Sequence, residues 1–348
     1  MRRLIDRLEQ NHSLEKEEWM ELISKGEDAP YLFERAREAS RRYYGNAVYA
    51  RGLIEFTNYC KNDCYYCGIR RSNTKAKRYR LSGEEILSCC KRGYALGFRT
   101  FVLQGGEDAY YTDERLEKLV LKIKSSYPDC AVTLSVGERS KESYQRLFAA
   151  GADRYLLRHE TADAAHYRKL HPKELSFSDR MERLFWLKEI GYQVGCGFMV
   201  GSPGQTVECL AEDMLFITKL QPQMVGIGPF VPHHGTPFAD EAGGTLTQTL
   251  YLLGLLRLLK PNLLLPATTA LGTIDEAGRE KGILAGANVV MPNLSPAGVR
   301  RKYELYDNKI CTGDEAAECL ESLSQRVKSI GYELVTSRGD PAKEPKEG

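Results

Sequence analysis

Three cysteines sit within eight residues of one another in the run Cys60-Lys-Asn-Asp-Cys64-Tyr-Tyr-Cys67. This C-x3-C-x2-C spacing places three thiolates on one short loop, where they can ligate three irons of a cubane 4Fe–4S cluster. The loop offers no fourth cysteine, so the fourth iron would stay open to an exogenous ligand. Zinc is the competing chemistry. It takes four protein ligands in structural sites, usually as two separated pairs, and no second pair lies nearby. The chain has ten cysteines. They are scattered rather than framework-spaced, which argues against a secreted disulfide scaffold. Cys89, Cys90, Cys130, Cys196 and Cys209 read as small buried apolar residues.

Other residues that could do chemistry follow short apolar runs. Gln104-Gly105-Gly106-Glu107 ends one run, and glycines there let backbone approach a ligand closely. Thr133 and Ser135 alternate onto one face of another. Arg158-His159-Glu160-Thr161 follows a third. A carboxylate such as Glu160 can accept from a ribose or an ammonium, while Arg180 can clamp a carboxylate or form a surface ion pair. His159 and His171 are not expected to carry protons. Met199 and Ile227 lie in glycine-rich runs, and Thr206 reads as a helix cap. His233 and His234 are adjacent, and a rim position is expected rather than joint ligation of one ion. Thr268 and Thr269 can bind an anion or merely form a turn. Tyr303 and Tyr306 can reach a cavity or pack on each other at helical spacing.

The elements that must position these groups follow a βα rhythm from about residue 50. Eight strands are expected: Gly52–Thr57, Thr100–Gln104, Ala131–Ser135, Arg154–Arg158, Gln193–Val200, Met224–Gly228, Leu263–Thr268 and Asn288–Met291. Eight parallel strands close a barrel, whose functional groups sit on the loops after the strands. Gly97, Gly151, Gly191 and Gly286 each precede an apolar run and can end a helix in the left-handed conformation. Ser82-Gly-Glu-Glu85 fits a capping box. The expected fold is therefore α/β, a complete (β/α)8 TIM-type barrel over 46–310. A helical extension precedes it over 1–45, with Leu4, Leu8, Trp19, Met20, Leu22 and Ile23 as the apolar stripe. A segment 311–348 follows, its last ten or so residues polar and expected to lack order.

Net charge is +2 with both signs interspersed, which predicts neither a nucleic-acid nor a membrane-surface partner. The Met-Arg-Arg-Leu start leads into charged sequence rather than an apolar leader, and the leucine-rich stretch near 250–265 is broken by Arg257, Lys260 and Pro261. A cytoplasmic location is expected.

The cysteine motif closely resembles that of radical S-adenosylmethionine (SAM) enzymes. The resemblance implies that SAM ligates the open iron and is reductively cleaved to methionine and a 5′-deoxyadenosyl radical. Longer strings are similar to the FeFe-hydrogenase maturase HydE family, including Tyr155-Leu-Leu-Arg158-His-Glu160-Thr-Ala162, Gly228-Pro-Phe-Val-Pro-His233, Pro266-Ala-Thr-Thr-Ala and Val290-Met-Pro-Asn293. They span about residue 45 to 320. That family assembles the diiron subcluster of the hydrogenase active site alongside other maturases, acting on a small cysteine-bound iron carbonyl-cyanide substrate. The resemblance implies SAM contacts at Tyr66, Gly105, Gly106, Glu107, Ser135, Glu160, Arg180, Met199 and Ile227. It implies a substrate cavity lined by Gln104, Thr133, Arg154, Arg158, Thr268, Thr269, Tyr303 and Tyr306. Some members carry a second, surface cluster on three C-terminal cysteines. Here Cys311 and Cys319 are present but Ser322 stands at the third position, so a stable second cluster is not expected. Methylornithine synthase, which rearranges lysine, would share the barrel and SAM site. An iron–sulfur carrier is the alternative of a different class, and SAM cleavage separates it from an enzyme.

Overall fold

The structure, a computed structural model, describes residues 1–310 and 317–345. Its strands are Ala47–Ala50 (β1), Gly52–Thr57 (β2), Thr100–Gly105 (β3), Ala131–Ser135 (β4), Arg154–Leu156 (β5) and Gln193–Cys196 (β6). They continue as Met199–Val200 (β7), Met224–Val225 (β8), Gly228–Pro229 (β9), Val289–Val290 (β10) and Glu333–Val335 (β11). Six run parallel in the order β2-β3-β4-β5-β6-β8. Parallel bridges Met224–Leu264, Pro266–Val289 and Leu53–Asn293 carry the ring round to β2 again. The fold is the α/β TIM-type barrel that the βα rhythm predicts.

Several staves differ from their expected form. The run 193–200 breaks into β6 and β7 at Gly197 (φ +153°), where a Cβ would lie 2.0 Å from the Gly226 carbonyl oxygen. There the Gly197 N–H donates to His159 Nδ1 and its carbonyl accepts from Glu160 N, so the ladder gives way to the loop after β5. The run 263–268 forms only single bridges, in part because Pro266 has no N–H to donate. Two strands lie outside the expected set: β1 pairs in parallel with both β10 and β11 beneath the ring.

Helix ends follow local chemistry. Gly97, Gly151, Gly191 and Gly286 all take φ between +93° and +118°. The Ser82–Glu85 box is formed reciprocally, at 3.2 and 2.7 Å. Thr206 Oγ1 accepts from Cys209 N at 3.4 Å and caps Val207–Leu220. The N-terminal segment is three helices, Arg2–Asn11, Lys16–Lys25 and Ala29–Tyr44, packed on the barrel helices Val207–Leu220 and Leu246–Leu259. Leu4, Leu8, Trp19, Leu22 and Ile23 are buried there and Met20 is half-buried. No helix among the described residues is long and apolar enough to cross a membrane.

The C-terminal segment departs most from expectation. Residues 338–342, placed in the unordered tail by composition, are held under the barrel. Arg154 Nη2 meets Asp340 Oδ1 at 2.8 Å and the Arg338 carbonyl at 2.9 Å. Arg338 reaches Asp153 at 2.6 Å, and Asn262 donates to the Ala342 carbonyl at 2.9 Å. Composition reports that such a segment cannot form a core of its own; it is silent on docking to one already built.

Asp340 gives this docking a pH signature. Burial pushes its carboxyl upward, but hydrogen bonds from Gln193 and Arg154 outweigh that and hold it at about 2. A group depressed in the folded state stabilises above its unfolded pKa, near 4 for aspartate, and the contribution is lost as pH falls through the folded value. The gap in melting temperature between the parent and Asp340→Asn should thus be present at pH 6 and close between about pH 4 and 2.

Candidate active site

The cysteine loop leaves the C-terminal end of β2 and is shaped by side chains outside the motif. Arg78 donates to the carbonyls of Asn58, Ile69, Arg70 and Asn73, at 2.5 to 3.2 Å, and so gathers both ends of the loop. Asp63 accepts from Arg70 Nε at 2.8 Å and from Ser72 Oγ at 2.6 Å. Arg80 pairs with Asp108 through two bonds, 2.6 and 2.9 Å, while its guanidinium lies 3.7 Å from the centre of the Tyr59 ring. Nothing local to the motif announces Arg78 or Arg80; their roles come from chain reversal after the loop.

Burial pushes the Cys60 thiol up, and it pushes Cys67 up to about 12 with the neighbouring Cys60 adding to it. Such thiols stay protonated near neutral pH until a metal cation takes the proton's place. Gly106 explains itself against this loop: a Cβ there would lie 2.2 Å from the Tyr59 carbonyl oxygen and 2.8 Å from Cys60 Cβ. Backbone cannot yield as a flexible side chain can. Gly106→Ala should therefore displace the loop and lower iron incorporation severalfold, measured as iron per chain after anaerobic reconstitution, with the melting temperature changed by only a few degrees.

Above the loop lies a cavity of about 330 Å³ into which Cys60, Cys64 and Cys67 face. Gln104, Gly105, Gly106 and Glu107 enter from the end of β3, and Ser135 from β4. Arg158, Glu160, Arg180 and Met199 form one wall, with Tyr66 near the cysteines. Thr268, Thr269, Tyr303 and Tyr306 lie on the wall contributed by the later loops. Cavities of this size are typical of small-ligand sites.

Three expected lining residues are elsewhere. Arg154 is fully buried among Gln193, Thr100 and the C-terminal segment, at the floor of the barrel. Thr133 pairs in register with Arg154, two residues below Ser135 along β4, so it lies beneath the cavity rather than on it. Ile227 points into the hydrophobic core; its neighbours Gly228, Pro229 and Phe230 line the cavity instead. Cys311 lies outside the described residues, and Cys319 is half-buried.

Two groups in or behind the wall escape sequence reasoning. Lys309 Nζ binds Glu55 Oε1 at 2.5 Å, and Asn293 donates to Glu55 Oε2 at 2.8 Å, joining the cavity's two ends of chain. Glu138 accepts from Arg180 Nε, and Arg180 Nη1 donates to the Arg158 carbonyl at 2.7 Å. Arg180 is thus a buried, oriented cation rather than a surface ion pair.

Glu160 combines a place on the cavity wall with an uncommon backbone conformation. Its φ is +67°, a conformation costing a non-glycine residue about 1–3 kcal/mol. The backbone around it is fixed by His159. Gly197 N–H donates to His159 Nδ1 at 3.2 Å, so the ring's proton sits on Nε2 and is given to Asp213 Oδ1 at 3.1 Å. Burial keeps His159 neutral, its pKa lowered to about 3. His171 is likewise neutral: Nδ1–H donates to the Tyr167 carbonyl, leaving Nε2 to accept from Tyr66 Oη at 3.1 Å. Both histidines are neutral imidazoles that orient their neighbours.

The cavity contains polar atoms awaiting partners. Glu160 Oε2, Arg158 Nη2 and Thr268 Oγ1 are buried without a hydrogen bond among the described residues. Arg158 and Glu160 face each other at 3.4 Å without hydrogen-bond geometry. A buried hydroxyl left without a bond, as at Thr268, costs about 1–3 kcal/mol, a cost that a polar ligand would recover. Three thiols beside a Glu160–Arg158 ion pair that lacks hydrogen-bond geometry, with Thr268 Oγ1 unbonded, fit an iron–sulfur cluster next to an amino-acid-bearing cofactor.

The radical SAM superfamily model matches residues 54–217. The chain is 46% identical to the [FeFe] hydrogenase maturase subunit HydE of Thermotoga maritima, over 86% of this chain and 85% of that one. It is 31% identical to 3-methylornithine synthase of Methanosarcina acetivorans, over 89% and 87%. Among solved structures, methylornithine synthase (PylB) superposes with a TM-score of 0.83 at 29% identity, covering 95% of this chain and 97% of that one. A closed parallel barrel with a three-cysteine loop at its functional end defines a radical SAM enzyme. Within that superfamily the chain belongs to the HydE family.

Proposed function

We propose that this chain acts in maturation of the FeFe-hydrogenase active site. In this reading Cys60, Cys64 and Cys67 hold a 4Fe–4S cluster, and the cavity takes SAM together with a small cysteine-bound iron carbonyl-cyanide substrate. The observation that carries it is one cavity joining the cysteine loop to polar atoms of Arg158, Glu160 and Thr268 that make no hydrogen bond among the described residues, in a chain 46% identical to a HydE. When bound, cluster and SAM together supply a 5′-deoxyadenosyl radical. The protein's own residues do the positioning. Gly105 and Gly106 bring backbone to the SAM amino group, while Glu160 and Arg180 fix its polar ends. Ser135 and Met199 border it, and Tyr66, locked by His171, holds the adenine side of the cysteine loop. On the far wall, Arg158 supplies charge for an anionic iron complex, with Gln104, Thr268, Thr269, Tyr303 and Tyr306 as hydrogen-bonding groups.

A second reading, lysine rearrangement, is favoured by the fit to methylornithine synthase over nearly both full chains. One experiment decides. The reconstituted, reduced protein is given SAM with the iron carbonyl-cyanide complex, with lysine, or with neither, and 5′-deoxyadenosine is quantified. Stimulation by the iron complex alone supports the maturase reading, and stimulation by lysine alone replaces it. A full cluster complement with no deoxyadenosine in any arm would return the chain to the carrier alternative.

A further inference from the structure

Glu55 and Lys309 form an ion pair in the cavity wall, their side chains 1% and 7% exposed, to which the function proposed above gives no role. Glu55 stands near the end of β2, just before the chain enters the cysteine loop. It pairs in register with Gln104 on β3, and Gln104 with Ser135 on β4. Three neighbouring staves thus bring a polar group to the cavity at one height. The chain after β10 converges on Glu55. Asn293 Nδ2 donates to Oε2 at 2.8 Å, Lys309 Nζ donates to Oε1 at 2.5 Å, and Ser295 Oγ accepts from the Glu55 N–H at 2.8 Å.

Lys309 acts on Tyr303 at the same time. Its ammonium donates to the Tyr303 carbonyl at 3.0 Å and lies 4.9 Å from the centre of the Tyr303 ring, within cation–π range. Tyr303, Tyr306 and Lys309 line the cavity together, yet residues 301–310 form neither helix nor strand. Chain of that kind holds a side chain in place only through its ties to rigid elements. Two ties fix it to other loops: Gly68 N–H donates to the Leu305 carbonyl at 2.8 Å, and Asp307 bonds His234 at 2.7 Å. The tie to a stave of the barrel is Lys309 on Glu55. Stability alone does not call for charges here. Taking both out of water costs about what their attraction returns, and a well-packed apolar pair would hold the chain as firmly. What the charged pair adds is direction, because a carboxylate with two fixed donors and an ammonium with two fixed acceptors define one arrangement.

We infer that Glu55 and Lys309 are positioning residues for the substrate, setting the place of Tyr303 on the substrate wall without a part in holding SAM. The inference rests on the function proposed above, in which Tyr303 offers a hydrogen bond to the iron complex. The groups assigned there to SAM stand on other elements: the ends of β3 and β4, β7, and Glu160 and Arg180 beyond β5. Loss of the pair therefore loosens one wall of the cavity and leaves the other as it was.

The test uses the reconstituted, reduced holoprotein. Deoxyadenosine is measured with SAM alone and across a titration of the cysteine-bound iron carbonyl-cyanide complex. Lys309→Met should raise the apparent KM for the complex at least tenfold. The KM for SAM, the deoxyadenosine formed without substrate and the iron per chain should stay at parental values. Glu55→Gln/Lys309→Met leaves no buried charge unpaired, and it should show the same rise in KM at a melting temperature near the parent's. Tyr303→Phe should raise the KM as well, and adding Lys309→Met to it should change the KM less than twofold further, since both act through one ring. A parental KM for the complex in the two Lys309 variants would overturn the inference. So would effects that multiply in the Tyr303 double variant, or a KM for SAM that rises in step. A parent protein that the complex does not stimulate would overturn the proposed function itself, and the inference with it.

Discussion

Replacing Cys64 by alanine is expected to strip the protein of its iron and reduce 5′-deoxyadenosine formation to background. The three cysteines lie on one loop whose path is set by Arg78, Asp63 and the backbone bonds around Gly106, so removing one thiolate leaves two ligands that cannot hold a cubane by themselves. Burial raises the Cys64 thiol well above its ordinary range, and that penalty is recovered only through a metal–thiolate bond. The loss in iron per chain should exceed roughly tenfold. The fold should survive, because exchanging a half-buried thiol for a methyl costs about 1 kcal/mol or less. Visible absorbance, iron analysis and thermal melting on one preparation are sufficient. A Cys64→Ala protein that retains full absorbance and SAM cleavage would end the cluster assignment.

Arg154→Met should behave in the opposite way, with a large loss of stability and little loss of chemistry. The Arg154 guanidinium has no exposed surface and bonds Gln193 at 2.7 Å, Thr100 at 3.0 Å, Asp340 at 2.8 Å and the Arg338 carbonyl at 2.9 Å. Burial lowers its pKa, with the hydrogen bond to Asp340 working against that. Methionine fills similar volume but leaves Gln193 Oε1 without its donor and takes one bond each from Thr100, Asp340 and the Arg338 carbonyl. Breaking a buried charged network in this way costs about 3–5 kcal/mol, which for a chain of this length is a fall in melting temperature of roughly 6–10 °C. Asp340 is partly exposed and can turn to water, which places the cost at the lower end. The segment 336–345 should become sensitive to protease, whereas deoxyadenosine formed per loaded cluster stays close to parental. The reverse pattern, intact stability with lost turnover, would return Arg154 to the substrate cavity.

That contrast marks how far the sequence reaches. The cysteine loop was legible because its pattern is local: three thiols in eight residues are brought together before anything folds. The barrel was legible because its apolar runs alternate with helical segments ended by glycine, and each unit reports its own type. Glu160 and Arg158 were legible as polar groups just past a strand. Ile227 was misread although the sequence contained the answer. Alternation along that stave turns Gly226 and Gly228 toward the interior and Ile227 toward the helices.

What sequence alone determined was therefore which residues could ligate a cluster, and which ends of which strands would face a ligand. Height along the barrel axis was decided only by the tertiary structure. Alternation assigns Arg154 and Thr133 to the inside, but register and the C-terminal segment folded beneath them put both at the floor, outside the cavity. The Lys309–Glu55 contact joins residues 254 positions apart. A strand's pattern records which side a residue takes; its depth, and its partners from distant chain, exist only once the ring has closed.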